Sequence, residues 1–428
     1  MARKSALHFV RVSLLSAAAL SVAGCRWLEA TRGPEGPAAP KTFDDLVRLL
    51  EENGGAVVLT GGEETKDGMR VLVSPRHQGR IFTMKVGTVE STGLVNVAAV
   101  RAGETNPQFN NFGGLDRFWL GPEGGQFGLY FEPGAEFSRD VWRVPADLDR
   151  GPYHVVSRDA SRIVMTRDME VVNYSGTRFK IRVEREVGVI PRSQVAAELG
   201  IAVPEGVHYA GAYSTNAMLN AGTEAWSEEK GLVGIWILGQ FEPSDSAVII
   251  APFRPGSESE LGPRFNDDYF GKLTVEVPGR FKVLGQAVLF RADARREGKF
   301  GMSQQRTTGL AGSIDFSKGL LTIVKFDVPQ IPERYANSTW VKNQPDPYTG
   351  DVLQSYNAGP ADKTSGKLAP VPFYELESTS PVRPLQPGER IRHTHRTFHF
   401  QGDLPKLVPI ARQLLGVELG SVREAMLR

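Results

Sequence analysis

The residue types best suited to chemistry lie in four short polar segments of the chain. The first, residues 111–127, combines glycine turns with acids, an arginine, amides and aromatic side chains. A guanidinium can bind vicinal hydroxyls or a carboxylate, and aromatic faces can stack on the C–H surfaces of a sugar. The segment predicts a sugar-binding loop, and the alternative is a core loop with an internal Asp116–Arg117 network. Its candidate substrate-binding residues are Asp116, Arg117, Trp119 and Glu123.

The second and third segments supply pairs of carboxylates. Asp267 and Asp268 precede Tyr269, and this group could share a proton and act as acid or base, although a plain exposed turn has the same composition. On a strand, Glu375 and Glu377 point to the same side about 7 Å apart. If that side borders a cleft, one glutamate is a candidate general base and the other a substrate contact. If it faces solvent, neither has a chemical role.

The fourth segment, residues 393–399, has histidines at alternating positions. A strand there places His393 and His395 on one face, where they could relay a proton, contact a sugar or chelate a transition metal. A metal site needs three or four ligands, and only the glutamates of the third segment could complete it. We therefore expect no cofactor, with a metal at these histidines or a solvated, cross-strand paired face as alternatives. His77 follows a predicted strand and could line the same cleft.

Composition excludes several classes of protein. The 428 residues carry 50 Lys and Arg against 49 Asp and Glu, so there is no basic excess of the kind that binding to nucleic acid requires. The 41% hydrophobic content is that of a globular protein, and 46 Gly with 28 Pro favour a fold with many turns. Phosphate-binding loops, nucleophile elbows and zinc-binding HExxH helices are absent from the sequence.

The first forty residues resemble the leader and tether of a bacterial lipoprotein. Basic residues precede a short apolar run, which ends at Val22-Ala23-Gly24-Cys25, a sequence that resembles a lipobox. Residues 1–24 are predicted to be a signal peptide, and 25–41 a lipidated cysteine with a flexible tether; a cleaved signal peptide with a chance cysteine is the alternative. Lipid at Cys25 would anchor the chain to a membrane of the cell envelope, on its periplasmic or surface face. Arg26 favours the outer membrane.

The remainder of the chain must position the four segments, and its pattern is all-β. Runs rich in β-branched and aromatic residues, such as 163–172, 177–189 and 390–400, are interrupted every eight to twelve residues by turn formers. Helical periodicity is confined to 43–53 and to 404–415. We predict one antiparallel β-sandwich domain over 42–416 with short N- and C-terminal helices, followed by a tail, 417–428.

Two family resemblances refine this prediction. The stretches GGLDRFWLGPEGGQF, VVNYSGT, NDDYFGK, YTGDVLQSYNAGP and PFYELESTSP resemble a family of secreted or lipid-anchored bacterial proteins of unknown function. GGLDRFW, NDDYFG and LESTSP followed by LQPGE resemble, more remotely, motifs of the galactose mutarotase-like superfamily. The second resemblance implies a large antiparallel β-supersandwich with a sugar cleft on its concave face. It also implies Glu377 as general base, whereas the general-acid histidine falls on Asp267 and a substrate-binding histidine on Phe112.

The sequence thus predicts a carbohydrate-active protein that performs acid/base chemistry at or next to the anomeric carbon, as a mutarotase or epimerase does. A lyase or hydrolase would use the same parts. The predicted partners are a sugar or oligosaccharide and, through the lipid, a membrane. The alternatives are a non-catalytic carbohydrate-binding lipoprotein and a structural envelope protein. The predicted catalytic residues are Glu377, Asp267, His393 and His395, and the predicted substrate-binding residues are His77, Asp116, Arg117, Trp119, Glu123, Asp268, Tyr269 and Glu375.

Overall fold

Antiparallel strands dominate the computed structural model, which describes residues 39–61, 68–269, 279–360 and 369–428. The predicted signal peptide, Cys25 and the tether as far as residue 38 lie outside the described residues. Residues 40–428 group into one compact unit. Within the described part of the chain, no helix combines the length and the apolar character needed to cross a membrane.

Within the described residues, eighteen strands build three sheets, and every pairing between these strands is antiparallel. The strands are β1 (Val57–Leu59), β2 (Arg70–Ser74), β3 (Arg80–Lys85), β4 (Arg117–Gly121), β5 (His154–Arg158), β6 (Arg162–Val172), β7 (Arg178–Val189), β8 (His208–Asn220), β9 (Gly234–Phe241), β10 (Ala247–Pro252), β11 (Phe281–Leu284), β12 (Ala287–Arg291), β13 (Gly298–Met302), β14 (Leu310–Asp315), β15 (Leu320–Phe326), β16 (Leu353–Asn357), β17 (Tyr374–Thr379) and β18 (Arg390–Gln401). The predicted all-β antiparallel class is confirmed.

A sheet of ten strands and a sheet of five strands pack face to face. The larger has the order β11-β12-β10-β14-β15-β18-β8-β7-β6-β5, and the smaller has the order β13-β16-β17-β9-β4; β1-β2-β3 form a separate three-stranded sheet. Side chains alternate across β17, so Tyr374, Leu376 and Ser378 face the ten-stranded sheet. The Tyr374 hydroxyl lies 2.8 Å from Ser313 Oγ of β14, which ties the two sheets together. Glu375 and Glu377 therefore point away from the ten-stranded sheet.

Short helices flank the sheets, and both termini of the compact unit are helical. In the part of the chain that the structure describes, the helices are α1 (Phe43–Glu52), α2 (Val97–Ala102), α3 (Ala146–Asp149), α4 (Val195–Leu199), α5 (Glu258–Leu261), α6 (Leu404–Leu415) and α7 (Leu419–Leu427), with a 3-10 turn at Arg192–Gln194. Thr42 begins α1 with a capping box, and Phe43, Leu46, Leu49 and Leu50 are buried. The prediction of a tail over 417–428 is wrong, because α7 buries Leu419, Val422 and Met426. Its short apolar stripe gave too few turns to be recognised as helical periodicity.

Candidate functional site

A cavity of about 530 Å³ opens on the face of the five-stranded sheet that points away from the ten-stranded sheet. Aromatic and charged side chains dominate its wall. The lining residues are Asn106, Gln108, Phe109, Asn111, Arg117, Trp119, Glu123, Arg139, Trp142, Trp236, Leu238, Gln240, Lys299, Trp340, Tyr356, Phe373 and Glu375. The size and the mixture of apolar faces with a few polar groups are those of a small-molecule site.

Strand periodicity brings the central part of this wall together. Arg117 and Trp119 are two residues apart on β4, so their side chains point to the same side of the sheet. Trp119 lies directly opposite Trp236 of β9. On β17, Glu375 pairs in register with Gln240 of β9. Loops on the same side of the sheet add further indoles, Trp142 and Trp340. The strands fix the positions of the polar groups, while the loops close the aromatic wall around them.

Arg117 and Glu375 form an ion pair in the cavity. Both are buried, with 2% and 7% of their surfaces exposed. Burial, opposed by the charge of Arg117 and reinforced by the negative charge of Glu377, raises the pKa of Glu375 to about 7. A carboxyl group that titrates near neutral pH can accept a proton and return it, which is the property that general acid/base catalysis requires. Glu375 is therefore the candidate proton-transfer group.

Glu377 lies on the same side of β17 but does not line the cavity. Its side chain is completely buried, and its Oε2 accepts hydrogen bonds from Trp236 Nε1 at 2.9 Å and Lys299 Nζ at 3.1 Å. Burial alone would lower the pKa of Lys299, but the charges of Glu377, Glu123 and Glu375 outweigh it and raise that pKa, so the lysine is a cation. This geometry corrects the general-base role implied for Glu377, which serves as the counter-ion of Lys299.

Glu123 is the third carboxyl group of the site. It leaves 7% of its surface exposed and lines the cavity, where its Oε1 accepts a hydrogen bond of 2.9 Å from Trp142 Nε1. Its backbone N–H donates to Ser338 Oγ at 3.1 Å, which fixes the loop that carries it. Burial raises the pKa of Glu123. The positions predicted for Arg117, Trp119, Glu123 and Glu375 thus meet at one cavity.

The predicted catalytic histidines lie on the wrong side of the sheet. Ser378 Oγ is 2.7 Å from His393 Nε2 and 2.8 Å from His395 Nδ1, between the two packed sheets. Burial lowers the pKa of His393 to about 3 and that of His395 to about 4, so both are neutral at physiological pH. They are separated from the cavity by the strand that carries Glu375. The described residues contain no group of three or more His, Cys, Asp or Glu side chains arranged to hold a metal ion.

Asp116 and His77 are also core residues rather than cavity contacts. Asp116 precedes Arg117 and points to the opposite side, where it accepts hydrogen bonds from Arg185 Nη2 at 2.5 Å and Ser214 Oγ at 2.7 Å. His77 Nδ1 lies 2.8 Å from Ser74 Oγ, and its ring packs edge-on against Phe112. Burial lowers the pKa of His77 to about 3. Both predicted substrate contacts are therefore replaced by structural roles.

The acidic turn around residue 267 contributes only its tyrosine to the neighbourhood of the site. Asp268 is exposed and Asp267 is half-buried, and neither lines the cavity. The Tyr269 hydroxyl donates to Asp351 Oδ2 at 2.6 Å, and Lys299 Nζ lies 5.4 Å from the centroid of the tyrosine ring. Burial raises the pKa of Asp351 to about 6. The general-acid assignment to Asp267 and the substrate contact at Asp268 are not supported by these positions.

Sequence reasoning missed several residues of the cavity. Lys299, Trp142, Trp236 and Trp340 belong to none of the recognised motifs, because each comes from a different strand or loop, and Tyr356 lies within YTGDVLQSYNAGP without having been singled out as a site residue. A usable signal did exist in the rarity of tryptophan: the chain has six, and four of them line the cavity.

Residues 41–426 match the model of a family described as a family of unknown function, DUF6786. The chain belongs to this family. The resemblance to a family of unknown function that the sequence predicted is thereby confirmed. A search of curated proteins found no match to this member of DUF6786.

Solved structures with similarity to this DUF6786 member include galactose mutarotase-like proteins. One is a galactose mutarotase-like protein from Lactobacillus casei (11% identity, 81% of this chain and 100% of that chain covered, TM-score 0.45). Another is an Escherichia coli K12 protein provisionally described as an aldose 1-epimerase (14% identity, 81% and 99% covered, TM-score 0.46). A third is the Slr1438 protein from Synechocystis (10% identity, 81% and 96% covered, TM-score 0.46).

Proposed function

We propose that this chain is a carbohydrate-active protein of the cell envelope, which performs proton transfer at or next to the anomeric carbon of a sugar. The observation that carries the proposal is the cavity in which four indoles surround the buried Arg117–Glu375 pair. Indole faces suit the C–H surfaces of a pyranose, and the remaining polar groups suit its hydroxyls.

Glu375 is the residue that we expect to transfer the proton. Its pKa of about 7 allows it to accept the proton of a sugar hydroxyl and to return it to a neighbouring oxygen within one turnover. The Arg117 guanidinium pairs with Glu375, so it stabilises the carboxylate state that forms when the proton leaves Glu375. In such a mutarotation the bond between the anomeric carbon and the ring oxygen breaks as the anomeric hydroxyl loses its proton and the ring oxygen gains one, and re-closure on the other face of that carbon reverses both proton transfers.

A non-catalytic carbohydrate-binding protein is the second candidate. It is favoured by the locked position of Glu377 and by the distance of the predicted histidines from the cavity, because both reduce the number of groups that could act as the second acid or base. Such a protein would use the same aromatic wall and would hand its sugar to a transporter or to another enzyme.

The two candidates separate when Glu375 is changed to glutamine. Sugar affinity is measured by calorimetry and anomer exchange by NMR on the full-length chain, against a panel of neutral hexoses, amino sugars and oligosaccharides. An enzyme should accelerate exchange, and E375Q should abolish the acceleration while affinity changes only a few-fold. A carrier should bind without acceleration in either protein. A failure of every sugar to bind would refute both candidates.

Two control variants accompany this experiment. Glu132 forms an exposed ion pair with Arg143 outside the cavity, so E132Q makes the same chemical change without touching the site. Glu375→Asp keeps a carboxylate opposite Arg117 but draws it back by one methylene, so it tests the position of the proton-transfer group while the charge balance is kept. If E375Q unfolds because Arg117 is left buried and unpaired, the aspartate variant still shows whether anomer exchange depends on the position of the group that carries the proton.

We also propose that lipid at Cys25 holds the protein to the envelope membrane, with the outer membrane favoured. The support is the lipobox-like sequence Val22-Ala23-Gly24-Cys25 and the Pro- and Gly-rich stretch after it. A tether of this composition would let the β domain reach a soluble sugar while it stays attached to the lipid surface.

A further inference from the structure

The charged groups of the cavity do not balance. Among the described residues, Arg117 pairs with Glu375 and Arg139 at the rim pairs with Glu297. Lys299 pairs with the buried Glu377. Every cation that lines the cavity thus has its own carboxylate partner, whereas Glu123 forms no ion pair with any described residue. The cavity holds one carboxyl group in excess.

This excess group is placed where a ligand can reach it. The Glu123 side chain is mostly buried at the cavity wall, with one oxygen held by the Trp142 indole N–H. Burial of a carboxylate is costly unless a positive charge or several hydrogen bonds compensate for it. Hydrogen bonds from the Trp142 and Trp340 indoles and the charge of Lys299 offset this cost only in part, because burial still raises the pKa of Glu123, and no described cation lies within ion-pair distance of it. A cation brought by the ligand would supply the missing charge.

The aromatic wall already accommodates cations. Arg117 lies 4.8 Å from the Trp119 ring centroid, and Lys299 Nζ lies 4.8 Å from the Trp236 ring centroid. Both distances are within the range in which the face of an indole attracts a positive charge. Trp142, which touches Glu123, belongs to the same wall. An ammonium group at Glu123 would therefore meet a carboxylate and aromatic surface together.

A second observation indicates that the site is built for a ligand. The buried side chain of Arg117 lines the cavity, yet its Nε and Nη1 have no hydrogen-bond partner within the part of the chain that the structure describes. Buried guanidinium nitrogens are ordinarily satisfied, so ligand oxygens or ordered water must complete this group. Oxygen acceptors near Arg117 and a cationic group at Glu123 describe one molecule with two kinds of polar group.

We propose that the cavity binds a sugar that carries a protonated amino group, and that Glu123 binds this group. The proposal rests on the proposed function and specifies its substrate class as amino sugars. The carboxylate excess would disfavour uronic acids and other acidic sugars, because no unpaired cation among the lining residues is available to receive a second negative charge.

The test compares sugars that differ only at one substituent. Calorimetry at pH 6 on the full-length chain measures the dissociation constants of glucosamine and galactosamine, their parents glucose and galactose, their N-acetyl derivatives, and glucuronate. We expect at least one amino sugar to bind about tenfold or more tightly than its parent and its N-acetyl form, a difference of about 1.4 kcal/mol. Glucuronate should bind most weakly.

The Glu123→Gln variant then assigns the preference to its residue. E123Q should lose about tenfold affinity for the amino sugar and change its affinity for the parent by no more than about twofold; E132Q should match the wild type. An amino sugar that binds no better than its parent would overturn the inference and leave the proposed function standing, and this comparison needs no variant. Equal losses for both sugars in E123Q would also overturn it. Failure of every sugar to bind would refute the proposed function as well.

Discussion

The buried histidine His399 should make the stability of the fold sensitive to mild acid. His399 lies in β18 and is completely buried; its Nδ1 is 3.0 Å from Thr322 Oγ1 of β15. Burial alone lowers its pKa to about 3, against about 6.5 for an unfolded histidine. Between these values the unfolded chain binds a proton that the folded chain excludes. The exclusion of this proton therefore costs no stability above pH 6.5, and it lowers the free energy of unfolding progressively as the pH falls below 6.5.

The size of this effect follows from the difference in proton binding. Each pH unit below about 6.5 changes the free energy of unfolding by about 1.4 kcal/mol per histidine, which gives about 2 kcal/mol for His399 at pH 5. Glutamine at position 399 keeps a polar group near Thr322 but cannot titrate, so H399Q should lack this part of the acid dependence. Glu375 and Asp351, whose raised pKa values act in the opposite direction, are common to both proteins and cancel in the comparison.

The assay is guanidinium unfolding followed by circular dichroism at pH 7 and at pH 5. The fall in stability between these two values should be about 2 kcal/mol smaller in H399Q than in the wild type. H154Q is the matched control, since His154 lies on an exposed strand, and it should follow the wild type. An identical fall in H399Q and the wild type would refute the argument that His399 is excluded from protonation by burial.

Three further predictions concern buried pairs and the anchor. Glu377→Gln should lower the free energy of unfolding by about 3–5 kcal/mol in chemical denaturation, because Lys299 loses its buried partner; a small effect would contradict that ion pair. Asp116→Asn should destabilise the fold by a similar amount, because Arg185 loses its buried partner. The sugar affinity of the folded variant, measured by calorimetry, should stay within about twofold of the wild type, because Asp116 faces away from the cavity. A large loss of affinity would show that Asp116 contributes to the sugar site. Cys25→Ser should move the protein from the membrane to the soluble fraction on cell fractionation, and retention in the membrane would argue against lipidation.

The strands could be predicted from the sequence because buried strands require runs of β-branched and aromatic residues that end at turn formers. The predicted strands 163–172, 177–189 and 390–400 correspond to β6, β7 and β18 with ends that differ by only one residue. The N-terminal helix was recognisable from its cap and apolar spacing. Local chemistry is sufficient for such elements, since period, caps and turn residues all lie within a dozen residues of each other.

The sequence pattern could not show which side of the five-stranded sheet carries the cavity. Alternation correctly placed Glu375 and Glu377 together, but the difference between them is set by Trp236 and Lys299, which are distant in sequence and enclose only Glu377. The histidines of β18 also share one side, as expected, yet that side faces Ser378 in the other sheet. The two-residue period of a strand shows which side chains share a side of the sheet. It does not show what packs against that side. Only the packing of the sheets decides that.

The distribution of tryptophan has a practical consequence. Four of the six indoles in the chain line one cavity, three of them with a cation above the ring. Indole emission depends on nearby charge and polarity, so the intrinsic fluorescence of this protein is mainly a signal from the site. Occupancy of the cavity and titration of its carboxyl groups can therefore be followed optically in the unlabelled protein, without knowledge of the reaction or of the natural sugar.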